Sequence, residues 1–98
     1  MELTNIPEAF QTKLRLMIIS ALITGAKSFN ELKSITSASD GNISVQLTKL
    51  EEWGYVSIKK TIVLRKPHTE ISLTPFGKKS FKEYIELLNK IVSEDDSL

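Results

Sequence analysis

Ser39-Asp40-Gly41-Asn42 begins the stretch that most restricts what this chain can fold into. Asp-Gly-Asn is turn chemistry, yet Ile43, Leu47 and Leu50 follow it at helical spacing, and Gly54 supplies a left-handed stop. The spacing predicts a helix from about Ser39 or Asp40 to Trp53. Its inner face is aliphatic. Its outer face carries Asn42, Ser44, Val45, Thr48 and Lys49, which are small or polar and nearly uncharged.

A second short helix precedes it. Ser28 and Glu31 are spaced as a capping box, and Phe29, Leu32 and Ile35 give that helix an expected buried side. Thr36 to Ser39 is the turn between the two. Further upstream, Pro7 suits a first helical turn that Thr4 or Asn5 could cap, and Phe10, Leu14, Met17 and Ala21 continue at helical spacing to a stop at Gly25. Leu16, Ile18, Ile19, Leu22 and Ile23 fill the other directions of this first helix. A helix that is apolar nearly all round needs neighbours on several sides. With 98 residues the chain is expected to be one domain with one core, so those neighbours imply a second copy.

After Gly54, Val56, Ile58, Ile62 and Val63 mark one strand, and Ile71 and Leu73 alternate with polar residues in another. Arg65-Lys66-Pro67-His68 is read as the loop between them, because proline cannot donate to a ladder. Thr74-Pro75 starts a last helix that runs to about Val92. Phe81, Ile85, Leu88 and Val92 form its expected core stripe. Tyr84, Leu87 and Ile91 form a second stripe beside it, assigned to dimer contact. Ser93 to Leu98 is short and acidic and is expected to fray. The fold class expected is mainly α with a small β-hairpin (α+β), in the order helix, helix, helix, strand, strand, helix. Residues 1–98 form a single domain, with a helix-turn-helix at about 28–53, a hairpin at about 55–73 and a C-terminal helix at about 75–92.

Composition narrows the function by exclusion. There is no cysteine and one histidine, His68, so disulfides, thiolate metal sites and histidine pairs are out, and no metal or other cofactor is expected. The first residues lack the order of a secretory signal, and Leu14 to Ile23 is interrupted by Arg15 and too short to span a bilayer. A cytoplasmic setting without membrane contact is expected. Catalysis finds no foothold: Glu51 and Glu52 are adjacent and diverge on a helix, and Ser44 has no histidine neighbour. The net charge of +1 decides nothing, since a local basic patch can hide in a neutral total.

What a slim polar outer face suits is the major groove, where a helix must approach the bases closely and offer short hydrogen-bonding side chains. The candidate reading positions are Asn42, Ser44, Val45, Gln46 and Thr48, with Val45 suited to a thymine methyl and Gln46 to a two-point contact with adenine. Lys49 is a candidate phosphate contact. In the hairpin, Arg65, Lys66 and His68 are candidate phosphate or minor-groove contacts, while Lys59 and Lys60 alternate onto opposite faces and stay undecided. Trp53, at the far end of the helix, is expected to pack beneath the hairpin.

The run Asp40-Gly41-Asn42-Ile43-Ser44, with Leu47, Leu50-Glu51-Glu52 and Gly54-Tyr55-Val56, resembles the recognition helix of winged-helix transcriptional regulators of the MarR/ArsR-like kind. It is most similar to a small single-domain subfamily of that group. Arg65, Pro67 and Thr69, then Leu73-Thr74 and Gly77, resemble the wing and final helix of that subfamily, and the similarity spans about residues 12 to 92. The sequence departs from the pattern at Gln46, where histidine is frequent, and at Val45, where a polar or basic residue is common. That leaves the base preference open. The resemblance implies a homodimer that binds double-stranded operator DNA and regulates transcription, as a repressor, with wings flanking the duplex. Leu16, Ile19, Ile23, Tyr84, Leu87 and Ile91 are the expected dimer contacts. Nothing in the sequence supports a small-molecule effector. The rival reading is a winged-helix module that docks onto another protein without binding DNA.

Overall fold

Thr12 divides the first stretch of chain in two. The computed structural model, which describes residues 2–94, opens with two 3-10 turns, Leu3–Asn5 and Glu8–Phe10, and only then begins α1, Lys13–Leu22. The continuous helix expected from Pro7 does not form. Thr12 is extended (φ −128°, ψ 150°), and its hydroxyl accepts from the Arg15 N–H at 3.3 Å, which caps α1. Gln11 folds back, its Nε2 donating to the Ile6 carbonyl at 2.7 Å. The break turns Phe10 inward, where its ring stacks on Tyr84 (5.0 Å) and meets Tyr55 and Phe81 edge-on.

Beyond α1, Gly25 adopts φ 133° and the chain makes a short strand, β1 (Lys27–Ser28). The next helix, α2 (Phe29–Thr36), has the expected capping box. Ser28 Oγ accepts from the Glu31 N–H, and a Glu31 carboxylate oxygen accepts from the Ser28 N–H, each at 3.0 Å. Hydrogen bonding from Ser28 to the carboxylate, its backbone N–H first and its side chain second, holds the Glu31 carboxyl below its ordinary value of 4.5. Ser37 turns through the left-handed region (φ 58°). Ser39 then caps α3 (Asp40–Glu52) by accepting from the Asn42 N–H at 3.2 Å. Asp40-Gly41-Asn42 is thus the first turn of the helix, which starts where the spacing predicts. Lys33 and Asp40, 2.6 Å apart, tie α2 to its start.

Gly54 (φ 88°) leads into β2 (Val56–Val63), which pairs antiparallel with β3 (Lys66–Leu73), and β1 pairs with β3 through Lys27 and Ser28. The sheet therefore has three strands in the order β1-β3-β2, one more than the sequence predicts. Lys66, Pro67 and His68 are strand rather than loop. The turn is the two-residue Leu64-Arg65, both left-handed (φ 51° and 65°), the handedness that matches strand twist. Pro67 is tolerated because it lies opposite Ile62, one step beyond the closing pair Val63–Lys66, where its nitrogen faces away from β2.

The last helix, α4 (Pro75–Glu94), starts where Thr74 Oγ1 accepts from the Gly77 N–H at 2.9 Å and donates to the Gly54 carbonyl at 2.6 Å. The four helices and antiparallel sheet are a winged-helix α+β fold. Its centre is Ile18, Ile19, Leu32, Ile43, Leu50 and Ile71, all fully buried. Ser93 and Glu94 lie at the end of α4, so the expected fraying of Ser93 to Leu98 is met by helix at those two residues; residues 95–98 lie outside the described residues.

Three packing expectations are corrected. Ile35 is exposed, so of the expected buried side α2 buries Leu32 and half-buries Phe29. Ile19 has no exposed surface within one protomer and is unavailable as a dimer contact. The stripes of α4 are also shifted: Phe81 and Tyr84 pack on Phe10, while Ile85, Leu88 and Val92 face outward. Phe10 causes this, because its inward turn supplies the partner that Tyr84 lacked on paper. Among the described residues no helix is long and apolar enough to cross a membrane.

Candidate nucleic-acid interface

With Ile43, Leu47 and Leu50 buried beneath it, α3 presents Asn42, Ser44, Val45, Thr48 and Lys49 to solvent. At 3.6 residues per turn, Val45 and Thr48 lie nearest the line opposite the core. Ser44 falls on one flank, and Asn42, Gln46 and Lys49 fall toward the other. Gly41 has open space around its Cα, so the first turn of α3 offers a nearly bare backbone. The Thr48 hydroxyl donates to the Ser44 carbonyl at 2.9 Å, which commits its hydrogen and leaves its lone pairs to accept. Along the outermost line Val45 and Thr48 are short, with the longer Gln46 and Lys49 to one side, so the helix axis can come close to a partner.

The wing lies beside this face. Ser44, Leu47 and Thr48 of α3 and Ile58, Lys60 and Thr69 of the hairpin line a common groove of about 330 Å³. Lys60 therefore points to the recognition-helix side, as the alternation from inward-facing Ile58 dictates. Lys59 is on the other face, in register with Glu70. Counting from Ile58 identifies Lys60 from sequence once the inward strand face is known. Arg65 and Lys66 are exposed at the tip. His68 is not at the tip: it is half-buried opposite Thr61 and shares a recess with Ser28, Phe29 and Asn30 at the start of α2. Placing it with Arg65 and Lys66 is corrected by the tighter turn. The tip is also apolar, with Ile62 and Val63 exposed and Leu64 91% exposed.

Gln46 stands apart from the other outer residues. Its Oε1 accepts from Arg15 Nη1 at 2.8 Å, so the side chain leans toward α1 rather than outward. Arg15 is only 5% exposed. Its Nη2 donates to the Glu8 carbonyl at 2.9 Å, and its guanidinium carbon lies 5.4 Å from the Trp53 ring centre. Trp53 thus packs against Arg15, not beneath the hairpin as the sequence suggests. Arg15 is the residue that sequence reading misses, since a single arginine in an apolar helix carries no local sign of a partner 31 positions away. Among the described residues no three His, Asp or Glu side chains come together as a metal site.

Residues 14–92 match the model of a winged helix DNA-binding domain family. An uncharacterized protein of Methanocaldococcus jannaschii is 38% identical over 78 residues, which cover 78% of this chain and 84% of that protein. Among solved structures, a transcriptional regulator homologue from Pyrococcus horikoshii OT3 superposes with a TM-score of 0.76 at 24% identity, covering 91% of this chain and 94% of that one. A MarR-family regulator from Enterococcus faecalis V583 gives 0.77 at 21% identity, covering 92% and 84%. PadR of Bacillus subtilis, solved in complex with operator DNA, gives 0.64 at 23% identity over 70% of this chain and 44% of that one. With its slim outer helix, its basic wing and a family match running from α1 to α4, the chain belongs to the winged helix DNA-binding domain family.

Proposed function

We propose that the protein is a homodimeric, single-domain repressor that binds operator DNA sequence-specifically in the cytoplasm. The observation that carries this reading is the shared groove of α3 and the wing, which sets short polar side chains and Lys60 on one side of the molecule. In this reading Asn42, Ser44, Val45 and Thr48 meet base edges, and Lys49, Lys60, Arg65 and Lys66 meet phosphates. The PadR complex supports the choice of partner, since a related fold is seen there with operator DNA.

Dimerisation is supported by apolar surface that one protomer leaves open. Ile85, Leu88 and Val92 on α4, with Ile23 after α1, are exposed. Leu87 and Ile91 beside them are half-buried, as is Leu16. A two-fold dimer places two copies of α3 on successive turns of the duplex and reads a palindrome. Repression follows from occupying DNA that polymerase needs. No effector is assigned.

The exposed Ile62, Val63 and Leu64 favour the second reading, a protein-docking module, because an apolar tip suits a protein partner as well as a groove. Salt separates the two. The test is selection of bound fragments from the source genome by purified protein, followed by titration at rising salt. Enrichment of a palindromic site with steeply salt-dependent affinity is expected. No enriched site, or salt-independent binding, would overturn the DNA reading.

A further inference from the structure

Arg15 is a buried cation without a carboxylate. Within 4.0 Å it has no acidic partner among the described residues, its Nε meets no acceptor, and its two hydrogen bonds go to neutral oxygens of Glu8 and Gln46. Burying a guanidinium this way is costly unless its surroundings use the charge. A guanidinium has donors only, so Gln46 can meet it in just one way, with its amide oxygen turned inward. The amide nitrogen, on the other branch of the same planar group, keeps both hydrogens uncommitted. The cation behind the oxygen polarises the amide and strengthens those hydrogens as donors.

We propose that Arg15 is a positioning residue that converts Gln46 into a donor-only contact at the DNA surface. It would meet an acceptor-only group, either a phosphate oxygen or the O6/N7 edge of guanine. The inference rests on the DNA-binding reading above and replaces the adenine contact expected from sequence. Adenine presents an acceptor and a donor side by side, and a two-point contact needs the glutamine oxygen facing the base, whereas Arg15 keeps it turned inward toward α1. The same argument explains why Gln46 can lie off the outermost line of α3 and still matter: a flank position beside α1 is where a duplex backbone passes a helix seated in its groove.

The test uses the full chain and three variants, Gln46→Met, Arg15→Met and the double, each checked for folding by circular dichroism. Methionine keeps the length of glutamine and the unbranched apolar stem of arginine, and removes the donors of each. Gln46→Met should weaken binding to the selected site about tenfold, the size of one charge-assisted hydrogen bond. Arg15→Met should weaken it by a similar factor, and the double variant should be no weaker than either single one. Site selection with Gln46→Met separates the two acceptors. Uniform loss across sequences indicates phosphate, and lost discrimination at one G·C pair in each half-site indicates guanine; both support the proposal. Loss of discrimination at an A·T pair, unchanged affinity of Gln46→Met, or additive losses in the double variant would overturn it. If Arg15→Met does not fold, the Gln46→Met selection still decides. Wild-type protein that binds no DNA at all would sink both this inference and the function it rests on, whereas wild-type binding with an unaltered Gln46→Met sinks the inference alone.

Discussion

Arg65 turns the wing with φ 65° and makes no ion pair with any described residue, so its charge is free for a phosphate. Arg65→Ala should weaken binding to all sequences alike and lower the salt slope by about one unit. Filter-binding or fluorescence titrations at several salt concentrations check this, and a change in sequence preference instead would make Arg65 a base reader. Gly77 shows the opposite situation, a position with no freedom at all. A Cβ there would run into the backbone carbonyl of Tyr55, where α4 docks. Gly77→Ala should therefore cost about 1–3 kcal/mol in thermal or denaturant unfolding, as overpacking does. Positions set by local geometry were legible in sequence: the exposure of Val45 and Thr48 on α3 follows from helical spacing alone. Arg15 and Gln46 were not, because their bond joins two helices whose relative placement only the folded core sets.

Capping chemistry carries the elements. Ser28 and Glu31, Ser39 before α3, Gly54 after it and Thr74 before α4 act within a few residues, so the order of helices and strands could be read directly. The interruption at Thr12 and the strand β1 depend on distant partners. The chain breaks before Thr12, the cap of α1, because Phe10 finds Tyr84 and Phe81, and β1 is only two residues long, made a strand by Ile71 and Glu70 far along the chain. The Arg65-His68 loop was misplaced because a proline was read without its register. The capping box of α2 also has a pH dependence. Folding lowers the Glu31 carboxyl below 4.5, so the unfolded chain binds more protons and stability rises with pH through that window. The contribution is fully present above the ordinary glutamate value and is lost as pH falls through the lowered one. Melting curves from about pH 6 to pH 3 should show a shallower acid loss for Glu31→Gln than for wild type. Parallel curves would mean that the box adds nothing to acid sensitivity.

The whole molecule measures 57 × 25 × 21 Å, and α4 with its 20 residues is its longest element. Its outward residues Ile85, Leu88 and Val92, the last 65% exposed, are more apolar surface than an isolated helix end requires. Ile85→Glu with Leu88→Glu should give a folded monomer by sedimentation, since both side chains lie outside the core. A double variant that still sediments as a dimer would move the interface elsewhere. The same long shape has an uneven charge. From Trp53 to Thr69 the chain carries Lys59, Lys60, Arg65 and Lys66 and no carboxylate, while the whole sums to +1. The remainder of the sequence is anionic on balance, so charge is divided unevenly along the chain, and in the DNA-binding reading the protein is a dipole with the wing as its positive end. Before any contact forms, the field of a duplex exerts a torque on such a dipole and turns the wing forward, over a range set by the Debye length of about 10 Å at 0.1 M salt. A near-neutral chain can thus collide with DNA already facing the right way, and stopped-flow association rates should fall as added salt shortens the reach of that torque.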